Sequence, residues 1–321
     1  MSKTERSRHL VDPELLPMLE QFPTVTVTSE RLEALRNRPP WGPVNPDDVA
    51  RSELESRSIP GPQGDPDVPI RIYRPVGTSE RLPTILHIHG GGFIAGDAAQ
   101  NEGVHRPLAA DLSCCIVSVN YRLAPETPYP GPLEDCYAAL DWIMHNAEDI
   151  GVDSSRVGLM GESAGGGLAA ALALLARDRG QHTLAFQHLI YPMLDDRTCT
   201  RDDPHPYTGE YIWNADSNRY GWTALLGHAP GGPDVSPYAA PARALDLRRL
   251  PPTYLATAAL DLFLEENLDY ASRLTRAGVP VELHVYPGSF HAFNAWPAAD
   301  VSARARRDSK AALARALGRD L

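Results

Sequence analysis

Apolar and polar positions along the chain fall into two rhythms that take turns. Short, nearly continuous apolar runs stand at residues 84–88, 115–120, 157–160, 186–191 and 253–258. Runs of this length, bounded by glycine and proline, predict strands buried on both faces of a sheet. Residues 70–74 and 281–286 alternate instead, as strands do. Helical stretches come between them: 132–147, an alanine-rich run after residue 165, and 265–276. In the last of these Leu268, Ala271 and Leu274 share a face, and Gly278 fits a C-cap. Leu168, Leu172 and Leu175 stripe the alanine-rich helix, which is the pattern of core packing. Residues 10–22 are amphipathic but interrupted by Pro13 and Pro17. Residues 29–36 begin with Ser29 as an N-cap and carry half a capping box, because Leu32 occupies the third position. From about 195 to 232 the periodicity fails in a polar, aromatic segment that includes His205, Tyr207, Tyr211, Trp213, Tyr220 and Trp222. The strand–helix alternation predicts an α/β chain with a mostly parallel central sheet, not two independent domains.

Composition changes this picture little. With 321 residues, 43% of them hydrophobic, the chain can bury one large core and a small lid. The net charge of −11 disfavours nucleic acid and anionic membrane as partners. Thirty prolines cluster at 39–43, 60–62, 128–132 and 251–252 and mark turns between elements. Cys114, Cys115, Cys136 and Cys199 make no framework, and the adjacent pair reads as small hydrophobes. No C-x-x-C or His/Cys spacing points to a metal, and Asp195 and Asp196, with Arg197 as a partner, have no histidine at ligand spacing. No metal or cofactor is therefore expected. The first residues are polar and charged (Lys3, Glu5, Arg6, Arg8), and no apolar run has membrane-spanning length, so the cytoplasm is the expected location.

The chemistry concentrates at three places. Gly161-Glu162-Ser163-Ala164-Gly165 lies between an apolar run and the alanine-rich helix. A serine between glycines at a strand-to-helix junction is a nucleophile elbow: the turn is strained, and the positions two before and two after must be small. Upstream, an apolar run ends in His89-Gly90-Gly91-Gly92-Phe93, whose glycines can turn backbone N–H groups toward a substrate carbonyl. Downstream, Asp261 follows the 253–258 strand and His291 follows the 281–286 strand, at carboxyl ends where open α/β sheets build sites. The order Ser, Asp, His is that of α/β hydrolases. Asp261 has a competing role as a helix N-cap. It is preferred as the acid because Asp234 and Asp246 precede the strand and Asp269 lies mid-helix. His291 is preferred over His284, which falls within a strand. Ser163 is then the nucleophile, His291 the general base and acid, and Asp261 the group that orients the imidazole. Glu162 leaves the elbow on the side away from the hydroxyl and pairs with or caps nearby backbone. Arg122 and Glu126 brace the loop after the 115–120 strand.

The segments His89–Phe93, Tyr121-Arg122-Leu123-Ala124-Pro125-Glu126 and Gly161–Gly166 together resemble the bacterial hormone-sensitive lipase family (family IV) of carboxylesterases, from about residue 70 to the end. The resemblance implies an α/β-hydrolase fold with a helical cap and hydrolysis of small carboxylic esters without a cofactor. By position it makes the N–H groups of Gly91, Gly92 and Ala164 the oxyanion donors, with Gly90 shaping the loop and His89 anchoring it by a hydrogen bond. It also makes residues 1–45 and the insertion at about 195–232 a cap over a catalytic domain of 46–321. Phe93, Ile212, Trp213, Leu262 and Phe290 are the substrate-pocket candidates, with cap core as the competing reading for Tyr211, Ile212 and Trp213. Two departures stand out. Leu262 replaces the usual proline after the acid and borders the site, and Gly167 stands where asparagine commonly follows the elbow.

The expected function is a serine carboxylesterase of short-to-medium-chain esters working through an acyl-enzyme. An amidase or peptidase shares the same intermediate, and a ligand-binding protein on a hydrolase scaffold is the reading from another class. The intact Ser163, Asp261 and His291 argue against the last. No large apolar lid helix is evident for lipid adsorption, which disfavours a long-chain lipase. The partner expected is a small-molecule ester, with a homodimer through the 281–286 strand if that strand is an edge.

Overall fold

The computed structural model describes residues 6–38 and 43–319. Lys3, Glu5 and residues 39–42 of the first proline cluster lie outside the described residues. The strands are β1 (Ser52–Ile59), β2 (Val68–Pro75), β3 (Leu82–Ile88), β4 (Cys115–Val119), β5 (Val152–Glu162), β6 (Gln187–Ile190), β7 (Thr253–Ala258) and β8 (Val281–Tyr286). They form one sheet in the order β1-β2-β4-β3-β5-β6-β7-β8. β1 and β2 run antiparallel to their neighbours, and every pairing from β4 through β8 is parallel. The helices are α1 (Leu16–Gln21), α2 (Leu32–Arg36), α3 (Pro46–Arg51), α4 (Glu102–Asp111), α5 (Gly131–His145), α6 (Ala164–Arg179), α7 (Ala215–Leu226), α8 (Leu264–Arg276) and α9 (Asp300–Leu317).

The strands found from apolar runs are those sealed on both faces: every residue of β3, β4 and β7 is buried. β1 was missed. Six of its eight residues are at least partly exposed, so it presents no apolar run at all. Helix α6 is buried on every side from Ala164 to Ala176, because its alanines and glycines let the sheet and its neighbours approach closely. It ends at Gly180 in the left-handed conformation that caps helices.

Several local expectations are corrected. Ser29 does not cap a helix: it opens a 3₁₀ turn (Ser29–Arg31) that leads into α2, with Thr28 before it. Leu268 is exposed, whereas Ala271 and Leu274 are buried as expected, together with Glu266, Asn267 and Tyr270 of α8. The segment 195–232, without periodicity in sequence, contains α7, with Asn214 accepting from Ser217 N–H as its cap. β8 is the outer strand of the sheet, as an edge was expected to be. Its apolar Leu283 and Val285 face outward, whereas Glu282 reaches Arg315 of α9. All four cysteines are free and buried, and burial pushes the Cys115 thiol up to about 11. Among the described residues no helix is long and apolar enough to cross a membrane.

Candidate active site

Four parallel strands deliver the site. β3, β5, β7 and β8 end on the same edge of the sheet, and the loops that follow them carry His89–Phe93, Ser163, Asp261 and His291 respectively. Ser163 has φ 56° and ψ −123°, a strained conformation at the junction of β5 and α6. The strain is enforced by its neighbours. A Cβ on Gly161 would lie 2.3 Å from the Gly165 carbonyl oxygen, and one on Gly165 would lie 2.0 Å from that of Ile88. Any larger residue at either place would push the elbow off the sheet.

The three expected residues meet. The Ser163 hydroxyl donates to His291 Nε2 at 3.0 Å, and His291 Nδ1–H donates to Asp261 Oδ2 at 2.8 Å. The carboxylate can only accept, which assigns the tautomer and leaves Nε2 free to accept from the serine. All three are buried, at 7% exposure or less. Asp261 is not the N-cap of α8, a position that Phe263 holds without a side-chain cap; its Oδ1 instead accepts from Phe263 N–H at 3.0 Å in the turn ahead of the helix. One oxygen shapes the loop while the other holds the imidazole.

Two aromatic rings that sequence reasoning did not assign enclose that imidazole. Tyr191 lies edge-on to it at 4.8 Å and Phe263 at 5.3 Å. Tyr191 has φ 35°, and its hydroxyl donates to Asn294 Oδ1 at 2.6 Å. No local signal marks either, since both occupy ordinary apolar positions after strands.

The glycine loop is anchored from two sides. His89 Nδ1–H donates to Gly90 O at 2.9 Å, and its ring stacks on Tyr121 at 4.2 Å. Burial lowers the His89 pKa to about 4, so the ring is neutral. Glu162 reaches the same loop from the elbow, accepting from Gly90 N–H at 3.2 Å, Asn101 Nδ2 at 2.7 Å and His87 Nε2 at 3.0 Å. Burial raises the Glu162 pKa, but the His87 charge and these hydrogen bonds outweigh it and hold the carboxyl below its usual range. Gly91 and Gly92 have φ of 124° and 63°, conformations that favour glycine. Among the described residues no main-chain carbonyl accepts from either N–H. Ala164 opens α6, where the first N–H groups lack intrahelical acceptors.

The pocket candidates divide. Phe93 and Phe290 are fully enclosed, Phe93 packing on Trp222 at 5.1 Å and Phe290 on Tyr211 at 5.4 Å, so both contribute to the core. Trp213 is buried in the core as well, wedged so that a Cβ on Gly92 would lie 2.3 Å from its ring. Ile212 and Leu262 stay partly open, and Leu262 packs beside Gly209. Arg122 and Glu126 brace different things. Arg122 pairs with the buried Asp135, while Glu126 pairs with Arg36 from the N-terminal segment. Asp195 holds Arg197 as expected, but Asp196 is buried against Arg243.

A family model described as the alpha/beta hydrolase fold matches residues 85–295. The chain belongs to the α/β-hydrolase family. Within that family, this α/β hydrolase is 36% identical over 327 residues to carboxylesterase NlhH of Mycobacterium tuberculosis, covering 99% of each chain. It is 34% identical to esterase LipI of the same organism, over 88% of each. Among solved structures, a bacterial heroin esterase superposes with a TM-score of 0.84 at 40% identity, covering 96% of this α/β hydrolase and 98% of the other chain. These relatives place the hydrolase with the hormone-sensitive lipase group that its motifs resemble.

Proposed function

We propose that this carboxylesterase hydrolyses short-to-medium-chain carboxylic esters in two acyl-transfer steps, with Ser163 as nucleophile. The observation that carries the reading is the unbroken line from Asp261 through His291 to Ser163, at 2.8 and 3.0 Å. His291 takes the serine proton as Oγ attacks the ester carbonyl. The tetrahedral oxyanion then lies toward the N–H groups of Gly91, Gly92 and Ala164, each donor contributing about 10²–10³ in rate. Collapse expels the alcohol, which takes the proton from His291 and leaves an acyl group on Ser163. Water, activated by the same imidazole, releases the acid. Asp261 stabilises the imidazolium in both steps. No cofactor is called for by this sequence of events.

The reading gives residues 6–38 and the 195–232 insertion the role of a cap over a catalytic domain, and Ile212 and Leu262 the role of lining residues. Contacts between the two segments support it. Thr24 Oγ accepts from Ile212 N–H at 2.9 Å, and Val27 N–H donates to Ser217 Oγ at 3.0 Å. We further propose that the outward-facing Leu283 and Val285 pair β8 with its copy in a homodimer. Light scattering that gives the mass of one chain across micromolar concentrations would exclude that dimer.

The test of the reaction is hydrolysis of a p-nitrophenyl ester series from acetyl to palmitoyl, run beside Ser163→Ala. Activity should peak at short to medium chains and fall by about 10⁴–10⁶ in the variant. A variant that keeps its rate removes Ser163 as the nucleophile.

A further inference from the structure

Far from the elbow, three side chains converge that the esterase reaction does not use. Asp141 and His145 stand four residues apart on α5, and so project from one face of its last turn. His182 follows the end of α6. Its Nε2 lies 2.8 Å from Asp141 Oδ1, and His145 Nδ1 lies 3.4 Å from Asp141 Oδ2. One donor atom from each residue falls within 4.8 Å of the others. The sequence reading found no ligand spacing because two of the ligands come from one helix and the third from a loop 37 residues further on.

We propose that Asp141, His145 and His182 form a site for a divalent transition metal, with Zn²⁺ as the ion its donors suit best. Two imidazoles and one carboxylate make a donor set that zinc accepts, with a fourth position left for water or an exogenous ligand. Bonds of about 2.0–2.2 Å put tetrahedral ligand atoms about 3.3–3.6 Å apart, so the three need close in by only about an ångström. His145 is exposed enough to make that turn, and in doing so gives up its hydrogen bond to the Asp141 carbonyl at 2.9 Å. The neighbourhood also has room for the fourth ligand. An open depression of about 400 Å³ is lined by His145 and His182 together with Ser154, Ser155 and Gln181. Ordinary contacts hold both imidazoles in the metal-free state, His182 on the Asp141 carboxylate and His145 on the Asp141 carbonyl, and they leave the three donor atoms converging beside an open depression.

The ion would tie the C-terminus of α5 to the loop beyond α6. Helix α6 spans 16 residues from the elbow, about 24 Å, so the site lies at the opposite end from Ser163. Metal loading should therefore stabilise the fold without changing esterase turnover.

The experiment titrates untagged, chelator-stripped protein with Co²⁺, read by its visible d–d bands, and then displaces it with Zn²⁺. One equivalent should bind in the micromolar range with a tetrahedral-type spectrum, leave p-nitrophenyl acetate hydrolysis unchanged, and raise the melting temperature. His145→Ala and His182→Gln should each weaken binding at least as much as the roughly 10–100-fold that loss of an outer-shell partner costs. His145→Ala removes an exposed side chain, so its fold is secure even if His182→Gln is unstable. Absence of binding below millimolar metal overturns the proposal. So does binding that survives in His145→Ala, or binding that abolishes hydrolysis at one equivalent, since the ion then sits at His291 or elsewhere.

Discussion

The sheet-borne candidate site and the two segments proposed as its cap are built on opposite principles. Ser163, Asp261 and His291 each follow a parallel strand of the sheet, and their positions are fixed by packing within a few residues: glycine sterics at the elbow, an Asp261–Phe263 turn, rings around the imidazole. The covering segments have little periodicity of their own. They are held by hydrogen bonds between residues about 190 apart in sequence, such as Thr24 with Ile212 and Val27 with Ser217. On the proposed reading, chemistry rests on the rigid part and ester selection on the assembled part. The two regions touch where Trp213 lies on Gly92.

If that division holds, damage to the first region removes turnover with the fold intact, and damage to the second shifts substrate affinity and stability. The largest effect should come from Asp261→Asn. Its amide can keep the turn to Phe263 while presenting the wrong partner to His291, and kcat should fall by about 10⁴ with unchanged circular dichroism. Next is Gly92→Ala, which places a methyl group against Trp213 in a backbone conformation alanine resists. It should lower kcat by about 10²–10³, the value of one misaligned donor. Relieving the collision with Trp213→Ala in the same chain should restore stability but not turnover, because φ is still wrong. A double variant with normal kcat would erase the boundary drawn here.

Smaller is Thr24→Val, which leaves Ile212 N–H without its acceptor at about 1–3 kcal/mol. Raised KM, faster proteolysis of the first 38 residues and nearly unchanged kcat should result. An equal loss in kcat would mean the seam helps place the reacting groups. The smallest effect concerns Glu266, buried where the insertion leaves the sheet. It accepts from Leu194 N–H at 2.6 Å and is bonded to Thr198. Burial pushes its pKa well above the carboxylate range despite those bonds. An acid whose folded pKa exceeds its unfolded one costs stability as pH rises above about 4.3. Glu266→Gln should therefore gain in melting temperature over the parent between pH 5 and pH 8, by a few degrees, and calorimetry across that range checks the sign.

The same division explains what could be read without coordinates. The elbow, the glycine loop and the order of acid and base were legible because each leaves a local signature: small residues around a serine, strands ending in Asp or His. β1 was invisible because an exposed edge strand needs no apolar run, and α7 because its register depends on partners from the first 38 residues. Phe93 and Phe290, offered as pocket candidates, are buried in the core, which sequence position alone does not show. Glu162 bonds nearby backbone, as expected, at Gly90 N–H, but its further partners Asn101 and His87 are hidden by sequence distance. Gly167 is explained by the fold: a Cβ there would lie 2.1 Å from the Met193 carbonyl oxygen, so an asparagine needs that strand end to shift.

The N-terminal segment also sets an order of assembly during synthesis. Asp12 N–H donates to the carbonyl of Gly288, three residues before His291, and Leu15 and Met18 pack with Tyr211 and Phe290. The partner at Gly288 is made 276 residues later, a wait of roughly 14–55 s at about 5–20 residues per second on the ribosome. Through that interval Leu15 and Met18 lack Phe290 and the rest of the C-terminal side of their cluster. The nascent chain therefore carries an incompletely covered apolar segment until the last strand has emerged, and the loop that holds His291 gains its contact with Asp12 only then.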